Sequence, residues 1–244
     1  MSAQLEAATT ALRAAILDGA FAPEERLREV AVADALKVSR TLARLAMSAL
    51  ETEGLLLREP NRGSRVRAFT LDEIADAIEV RGELEAMAAR LLAERGLTAE
   101  VECRLSGCLT RAEALMAAGI GTPEARSDWV AMNCDFHAAV IAGSGNQAIA
   151  VAVHQVSLLP LASAGSIIFD TSQAAHGRAQ LQRAHEDHRL LFEALLARQG
   201  GRAEAILREH AFRSAENRRH NLALGWNAGG LNDLPGVHLI RQSA

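Results

Sequence analysis

The spacing of apolar residues predicts a mainly helical protein. Over most of the chain these residues recur every three or four positions, which places them on one face of a helix. Glycine-rich joints separate the segments, and runs typical of strands are scarce. Besides a short helix before residue 37, the pattern predicts helices at 5–17, 40–53, 71–95, 99–118, 124–143, 146–169, 174–198 and 202–224.

Residues 27–66 combine two helices with a hairpin. The first helix is short, and its predicted apolar face consists of Val30, Ala33 and Leu36. Ser39 is well placed to cap the next helix, at 40–53, whose predicted apolar stripe consists of Leu42, Leu45, Ala46, Ala49 and Leu50. Strands at 55–58 and 64–67 then pair around an Asn-Arg-Gly turn. The segment therefore predicts a winged helix-turn-helix.

The second helix of this segment begins with polar residues that suit DNA reading. A recognition helix contacts base edges with its N-terminal residues, while a basic wing lies along phosphate or in the minor groove. The residues predicted to bind DNA are Ser39, Arg40, Thr41 and Arg44 in the helix and Arg62, Gly63 and Arg65 in the wing.

The local charge agrees with this interpretation. Residues 37–67 contain seven basic and three acidic side chains, a local charge of +4 on a chain whose net charge is −4. The alternative is a solvated helix and hairpin with incidental arginines. Charge alone does not decide between the two, but the ordered pattern of helix, turn, helix and hairpin favours a DNA-binding head.

This segment resembles the winged helix-turn-helix of the GntR superfamily of bacterial transcription regulators. The matching positions are Leu27, Glu29, Val38 to Thr41, Arg44, Leu50, Glu53 to Leu55, Gly63 and Val66. Two departures are Leu42-Ala43, where the family usually has Pro-Val, and Leu45-Ala46, where Glu-Ala-Leu is common. The resemblance implies a homodimeric repressor that binds an inverted repeat in double-stranded DNA.

The length and composition predict two domains. The chain has 244 residues, of which 49% are hydrophobic, enough for a sizeable core. A capping box from Thr70 to Glu73 opens a new helix, which predicts a winged-helix domain at 1–69, an all-α domain at 70–225 and an irregular tail at 226–244. We expect a cytoplasmic protein without a membrane partner, because the sequence has neither an apolar run of spanning length nor a signal peptide.

Several polar residues of the helical half could converge on a metal ion. Asn133 and His137 are one helical turn apart, and His188 and His210 each lie in the middle of a predicted helix among apolar residues. Neutral imidazoles that face the inside of a helical bundle can bind a divalent metal. From spacing alone, surface or structural histidines remain the commoner interpretation.

Residues 71–222 resemble the FCD domain, the effector domain of the FadR branch of the GntR family, in its VanR-like, six-helix form. The matching pieces are Glu79 to Arg81, Leu84-Glu85, Phe136-His137, Ser144 to Asn146, His188-Arg189 and His210. Metal-binding members use an Asp and a His one turn apart and one His from each of the last two helices. The resemblance therefore implies that Zn, Ni or Mn is held by Asn133, His137, His188 and His210.

Asn133 stands where Asp is usual in that set. An amide oxygen can ligate a metal but brings no negative charge, so we expect weaker binding or a changed metal preference. The preferred hypothesis is a small carboxylate effector anchored by the metal, with Arg81 pairing with its anionic group and Asn217 lining the same wall. A structural role for these two residues, or a metal-free effector pocket, is the alternative.

The sequence gives little support for an enzyme. His185 to His188 resembles a HExxH zinc motif, but position 189 is Arg, so the spacing of that motif is not met. The chain contains no Gly-x-Ser-x-Gly, P-loop or GxGxxG motif. A metal-dependent hydrolase built on the histidines is therefore a weak alternative, and a DNA-binding head argues against a pure dimerisation scaffold.

Overall fold

A computed structural model describes residues 2–59, 63–169, 174–228 and 234–241. The described helices are α1 (Ala3–Leu17), α2 (Glu29–Leu36), α3 (Arg40–Thr52), α4 (Leu71–Arg95), α5 (Ala99–Ala118), α6 (Pro123–Gly143), α7 (Gln147–Ser157), α8 (Ala174–Leu196) and α9 (Gly200–Ala228). The strands are β1 (Arg26–Leu27), β2 (Leu56–Glu59), β3 (Gly63–Val66), β4 (Phe69–Thr70) and β5 (Ile240–Arg241). The mainly α prediction, with an N-terminal winged helix-turn-helix, is confirmed.

The chain forms two compact units. The first contains Met1–Ile74, Leu158–Leu161 and Ala228–Ala244, and the second contains Ala75–Ser157 and Ala162–Asn227. The first unit therefore includes a short segment after α7 and the C-terminal segment in addition to the winged helix. No helix of the described ranges has the length and apolar character needed to cross a bilayer.

The first unit packs α1, α2 and α3 with a three-stranded antiparallel sheet in the order β1-β3-β2. The predicted hairpin is present as β2 and β3, with Leu56 opposite Val66. The sequence pattern missed β1, which pairs Arg26 with Arg65, because two residues are too few for a recognisable alternation. Ser39 caps α3 as predicted, since its side chain accepts a hydrogen bond from the backbone N–H of Leu42 at 3.2 Å.

The buried face of α3 is displaced by one position from the predicted stripe. Its buried residues are Ala43, Ala46, Met47 and Leu50. These positions have the helical spacing i, i+3, i+4 and i+7, so the four side chains form one continuous packing face. The predicted core residue Leu45 is instead 45% exposed. In α2, the predicted core residue Val30 is likewise exposed, whereas Val32 and Ala33 are buried.

The described part of the C-terminal segment is ordered rather than irregular. Val237–Leu239 form a 3₁₀-helix, and β5 pairs in parallel with β4, with Phe69 opposite Ile240. Leu239 and Ile240 are buried. The backbone N–H of Gly236 also donates to the carbonyl of Leu17 at 2.7 Å. The Gly, Asn and Pro content that predicted an irregular tail gave no signal for this pairing.

The second unit is a bundle built from α4 to α9. Its core contains Trp129, Phe136, Leu191, Leu195 and Leu207, all almost fully buried. Two of the helices begin at threonine caps, and Pro123 is the first residue of α6, as predicted. The helix predicted at 146–169 ends at Ser157, because Pro160 and Leu161 follow and Leu161 has a positive φ of 57°. The last helix extends to Ala228, beyond the predicted residue 224.

Candidate functional site

The N-terminal turns of α3 present an exposed polar surface. Arg40, Thr41 and Arg44 are all exposed, and neither arginine has an ion-pair partner among the residues that the structure describes. The Ser39 hydroxyl is engaged in the helix cap, so its role includes fixing the first turn of α3. The three exposed side chains predicted to read DNA therefore share one accessible surface.

The predicted wing residues have different surroundings. Gly63 has a φ of +86°, and a Cβ at this position would lie 2.9 Å from the carbonyl oxygen of Leu27, so a side chain would be strained. Arg65 is half-buried in ion pairs with Glu24 and Glu59, which hold β3 to the rest of the first unit. Arg62 lies outside the described residues.

Three of the predicted metal ligands come together inside the second unit. His137 of α6, His188 of α8 and His210 of α9 each offer a nitrogen, and these nitrogens all lie within 4.8 Å of one another. The ring centroids are 5.3 Å apart for His137 and His188, 5.5 Å for His137 and His210, and 4.9 Å for His188 and His210. Three helices that are distant in sequence thus supply one donor cluster.

Two buried carboxylates orient two of the three histidines of this cluster. His137 Nδ1 lies 2.7 Å from Glu85 Oε2, and His210 Nδ1 lies 3.1 Å from Asp187 Oδ2. When Nδ1 donates to a carboxylate, Nε2 keeps a lone pair for a metal. Neither acid was predicted from the sequence to take part in this site. The available signal for Glu85 was its place among the residues that resemble the FCD domain, one helical turn after Arg81.

His188, the third histidine of the cluster, is only 1% exposed. Its ring stacks on Phe136 with centroids 4.2 Å apart. Neither ring nitrogen has a hydrogen-bond partner among the described residues. A buried unpaired nitrogen is costly, and coordination to a metal would satisfy it. The donor set therefore fits a divalent metal that accepts imidazole nitrogen.

The charge states of these groups suit metal binding. Burial lowers the pKa of His188 well below its ordinary value, and nearby His210 and His137 lower it further. Burial also lowers the pKa of His210, although the hydrogen bond that its ring donates to Asp187 opposes the change. Both rings are consequently neutral near pH 7, which is the ligating form. For Glu85 burial opposes ionisation, but His137 and Arg81 outweigh it and lower the pKa to about 2.

The fourth predicted ligand, Asn133, is buried on the same helix as His137. Its amide nitrogen donates to the carbonyl of Ala164 at 2.9 Å. This contact fixes the amide and leaves its oxygen as the group available to a ligand. Asn133, His137 and His210 all line one cavity, whereas His188 is not among the residues of its wall.

The cavity has a volume of about 1120 Å³ and lies within the second unit. Its wall combines cationic side chains with apolar ones, including Arg81, Arg126, Arg213, Trp129, Ile167 and Phe169. Arg81 and Asn217, predicted to contact an effector, are both on this wall. Arg81 is buried, donates to the carbonyl of Ala162 at 2.8 Å and lies 3.4 Å from Glu85. Asn217 accepts a hydrogen bond from Asn221 at 3.0 Å.

Comparisons with known protein families match both parts of the chain. Residues 4–66 match the model of "Bacterial regulatory proteins, gntR family", and residues 76–213 match the FCD domain. The Nta operon transcriptional regulator of Aminobacter aminovorans is 41% identical over 81 residues, and this match spans 33% of the chain and 39% of that relative.

Longer matches extend over both units. The transcriptional regulator LutR of Bacillus subtilis is 27% identical, over 80% of the chain and 92% of LutR. The transcriptional repressor GlaR of Escherichia coli is 27% identical, over 80% of the chain and 86% of GlaR. Among solved structures, E. coli McbR/YncC has a TM-score of 0.62 at 20% identity, covering 94% of the chain and 100% of that structure. This last likeness supports the fold.

Proposed function

The chain belongs to the gntR family of bacterial regulatory proteins and carries an FCD domain; from this premise we propose that it is a homodimeric repressor controlled by a metal-anchored small carboxylate. That it is a transcription regulator with a DNA-binding helix-turn-helix follows from the family. The converging histidines of the FCD domain are the observation that carries the rest of the proposal.

The DNA contacts come from α3 and the wing. Arg40, Thr41 and Arg44 contact base edges or adjacent phosphates, and their common exposure supports this assignment. Ser39 supports the helix start, and Gly63 permits the tight backbone of the wing. Arg62 serves the phosphate backbone, and Arg65 acts mainly by holding β3 in place. A twofold dimer would match the symmetry of an inverted repeat.

The effector site consists of the cluster and the adjoining cavity. His137, His188 and His210, with the amide oxygen of Asn133, would hold Zn, Ni or Mn. Bound there, the ion would act as a Lewis acid for a carboxylate oxygen. Arg81 contributes positive charge to the cavity wall, and Asn217 contributes a hydrogen-bonding group. The cavity holds a small organic acid and leaves room for its apolar part.

Effector binding relieves repression in this proposal. A ligand changes DNA affinity only if it binds the two conformations of the dimer differently, so the effector must favour the form that fits the operator poorly. The relative GlaR is named a repressor, which agrees with a protein that represses in the absence of its effector. The protein acts in the cytoplasm, where its operator is.

A metal-free pocket is the second candidate, supported by the substitution of Asn133 for the usual Asp. A hydrolase is disfavoured, because a general base is needed beside the metal. The two nearest carboxylates, Glu85 and Asp187, are already hydrogen-bonded to ligand histidines.

Elemental analysis of protein purified without a chelator or His-tag tests the metal site. We expect about one divalent metal per chain, as a single three-histidine cluster implies. His188→Ala should lose the metal and keep its helical content. His154→Ala, which removes an exposed histidine of α7, is the matched control and should retain it.

Two results would count against this assignment. Equal metal content in His188→Ala and the native protein would place the metal elsewhere. A native protein that takes up no Zn, Ni or Mn would instead favour the metal-free pocket.

A further inference from the structure

The exposed surface of α3 contains an apolar residue among its polar ones. Leu45 follows Thr41 by four positions, so the two exposed side chains are neighbours on one side of the helix. It is 45% exposed, and the packing face of α3 is complete without it. Single exposed leucines are common on protein surfaces. This one lies within the surface formed by the residues assigned to DNA reading.

The chemistry of the major groove gives such a side chain a specific use. Base edges present hydrogen-bond donors and acceptors, and the apolar group among them is the 5-methyl group of thymine. Arginine and threonine can satisfy the polar groups, whereas leucine offers only a hydrocarbon surface. Leu45 is the sixth residue of α3, close enough to the N-terminal turns to enter the groove with them.

We propose that Leu45 contacts a thymine methyl group in the operator and thereby determines specificity at that base pair. The inference rests on the proposed reading of an operator by α3. Burying the leucine against the methyl group removes apolar surface from water on both partners. A cytosine or a purine at the same position would leave the leucine against polar edges, so the contact discriminates between bases without a hydrogen bond.

The test begins with an operator selected by the native protein from random duplexes. Each thymine is then replaced, one at a time, by deoxyuridine, which lacks only the methyl group. Replacement at the contacted position should weaken binding about three- to fivefold, the effect of one methyl-sized group. Replacement at thymines outside the contact should leave affinity unchanged.

Two leucine variants locate the effect on the protein. Leu45→Ala should bind the thymine and deoxyuridine operators equally. Leu196→Ala removes a leucine that is similarly exposed, at 48%, on α8 in the second unit, and it should discriminate as the native protein does. Because both positions are exposed, both variants should fold. The deoxyuridine measurements use the native protein, so they do not depend on the folding of any variant.

The possible failures are separable. If no thymine replacement weakens the native protein, or if Leu45→Ala remains sensitive at the same thymine, the leucine contact is overturned while operator binding stands. If the native protein selects no sequence at all, the proposed operator reading is overturned, and the leucine contact with it.

Discussion

Glu85 shows how one buried residue can set the state of a binding site. Its carboxylate is almost inaccessible to solvent, yet it remains ionised, because burial is outweighed by His137 and Arg81. It accepts the hydrogen bond of His137 and so directs the other ring nitrogen towards the cluster. It also supplies a negative charge that Asn133 lacks. The charge of the candidate metal site thus resides partly in a residue that is not itself a ligand.

Replacing that charge should weaken metal binding. Glu85→Gln keeps an oxygen for the hydrogen bond from His137 but removes the negative charge, and the loss of such a supporting group typically lowers metal affinity about 10- to 100-fold. Competition with a chelator of known affinity measures the change. Glu83→Gln, at an exposed position on the same helix, is the control. Equal affinities for Glu85→Gln and the control would show that Glu85 only supports packing.

On the surface of α3, single residues should contribute differently to DNA binding. Arg44→Ala should weaken operator binding by about 1–3 kcal/mol if the guanidinium contacts a base. Arg104→Ala, at an exposed position of α5 in the second unit, should change it little. Binding titrations at fixed salt concentration measure both. An unchanged affinity for Arg44→Ala would remove this residue from the recognition surface.

At the scale of elements, the C-terminal segment completes the first unit. β5 pairs with β4 in the short connection between the wing and α4, and Leu239 is fully buried beside it. Gly236 bonds to the last residue of α1, and Arg241 forms an ion pair with Glu24 at 2.9 Å. The segment therefore contacts α1, the turn before β1 and the connection before α4, all within the first unit.

Weakening this segment should destabilise the first unit. Leu239→Ala removes a fully buried side chain and should cost about 2–5 kcal/mol. Arg241→Ala breaks only an exposed ion pair and should cost less than about 1 kcal/mol. Hydrogen exchange of the backbone amides of α1 and β4 measures the local opening free energy. Native exchange rates in Leu239→Ala would mean that the segment is dispensable to the unit.

At the scale of the whole molecule, the recognition helix and the effector cavity belong to different units. The chain passes from one unit to the other within α4, which also carries Arg81 and Glu85, and again at the end of α9, which carries His210 and Asn217. Two helices that contribute to the candidate effector site are therefore continuous with the DNA-binding unit. Such elements can transmit a change in one site to the other if they have two arrangements.

Coupling between the sites must be reciprocal. If a small carboxylate lowers operator affinity by some factor, saturating operator DNA must lower carboxylate affinity by the same factor. We expect a factor of about 5 to 150, the usual range for allosteric proteins. Calorimetric titration of the metal-loaded protein with and without operator measures it. Identical carboxylate affinities in the two titrations would contradict control of repression by this ligand.

Local signals were sufficient to predict much of the fold. Helix α4 begins at a capping box, and α5 and α6 begin at threonines whose side chains cap the first turn, so the boundaries of these helices depend on neighbouring residues alone. The helix-turn-helix was also predictable from neighbouring residues, because the Ser39 side chain caps the first turn of α3. Apolar periodicity predicted that α3 packs on one face but displaced that face by one position, which left Leu45 on the wrong side.

The tertiary structure decided the features that depend on residues distant in sequence. The histidines of α6, α8 and α9 were candidates from their positions in predicted helices, and the family resemblance predicted that they group together. Only the packing of the bundle places their nitrogens within 4.8 Å of one another. The same packing brings Glu85 to His137 across 52 positions. The pairing of β5 with β4 joins residues some 170 positions apart, and no local pattern encodes it. Periodicity and capping are short-range effects, whereas these contacts exist only once the helices have packed.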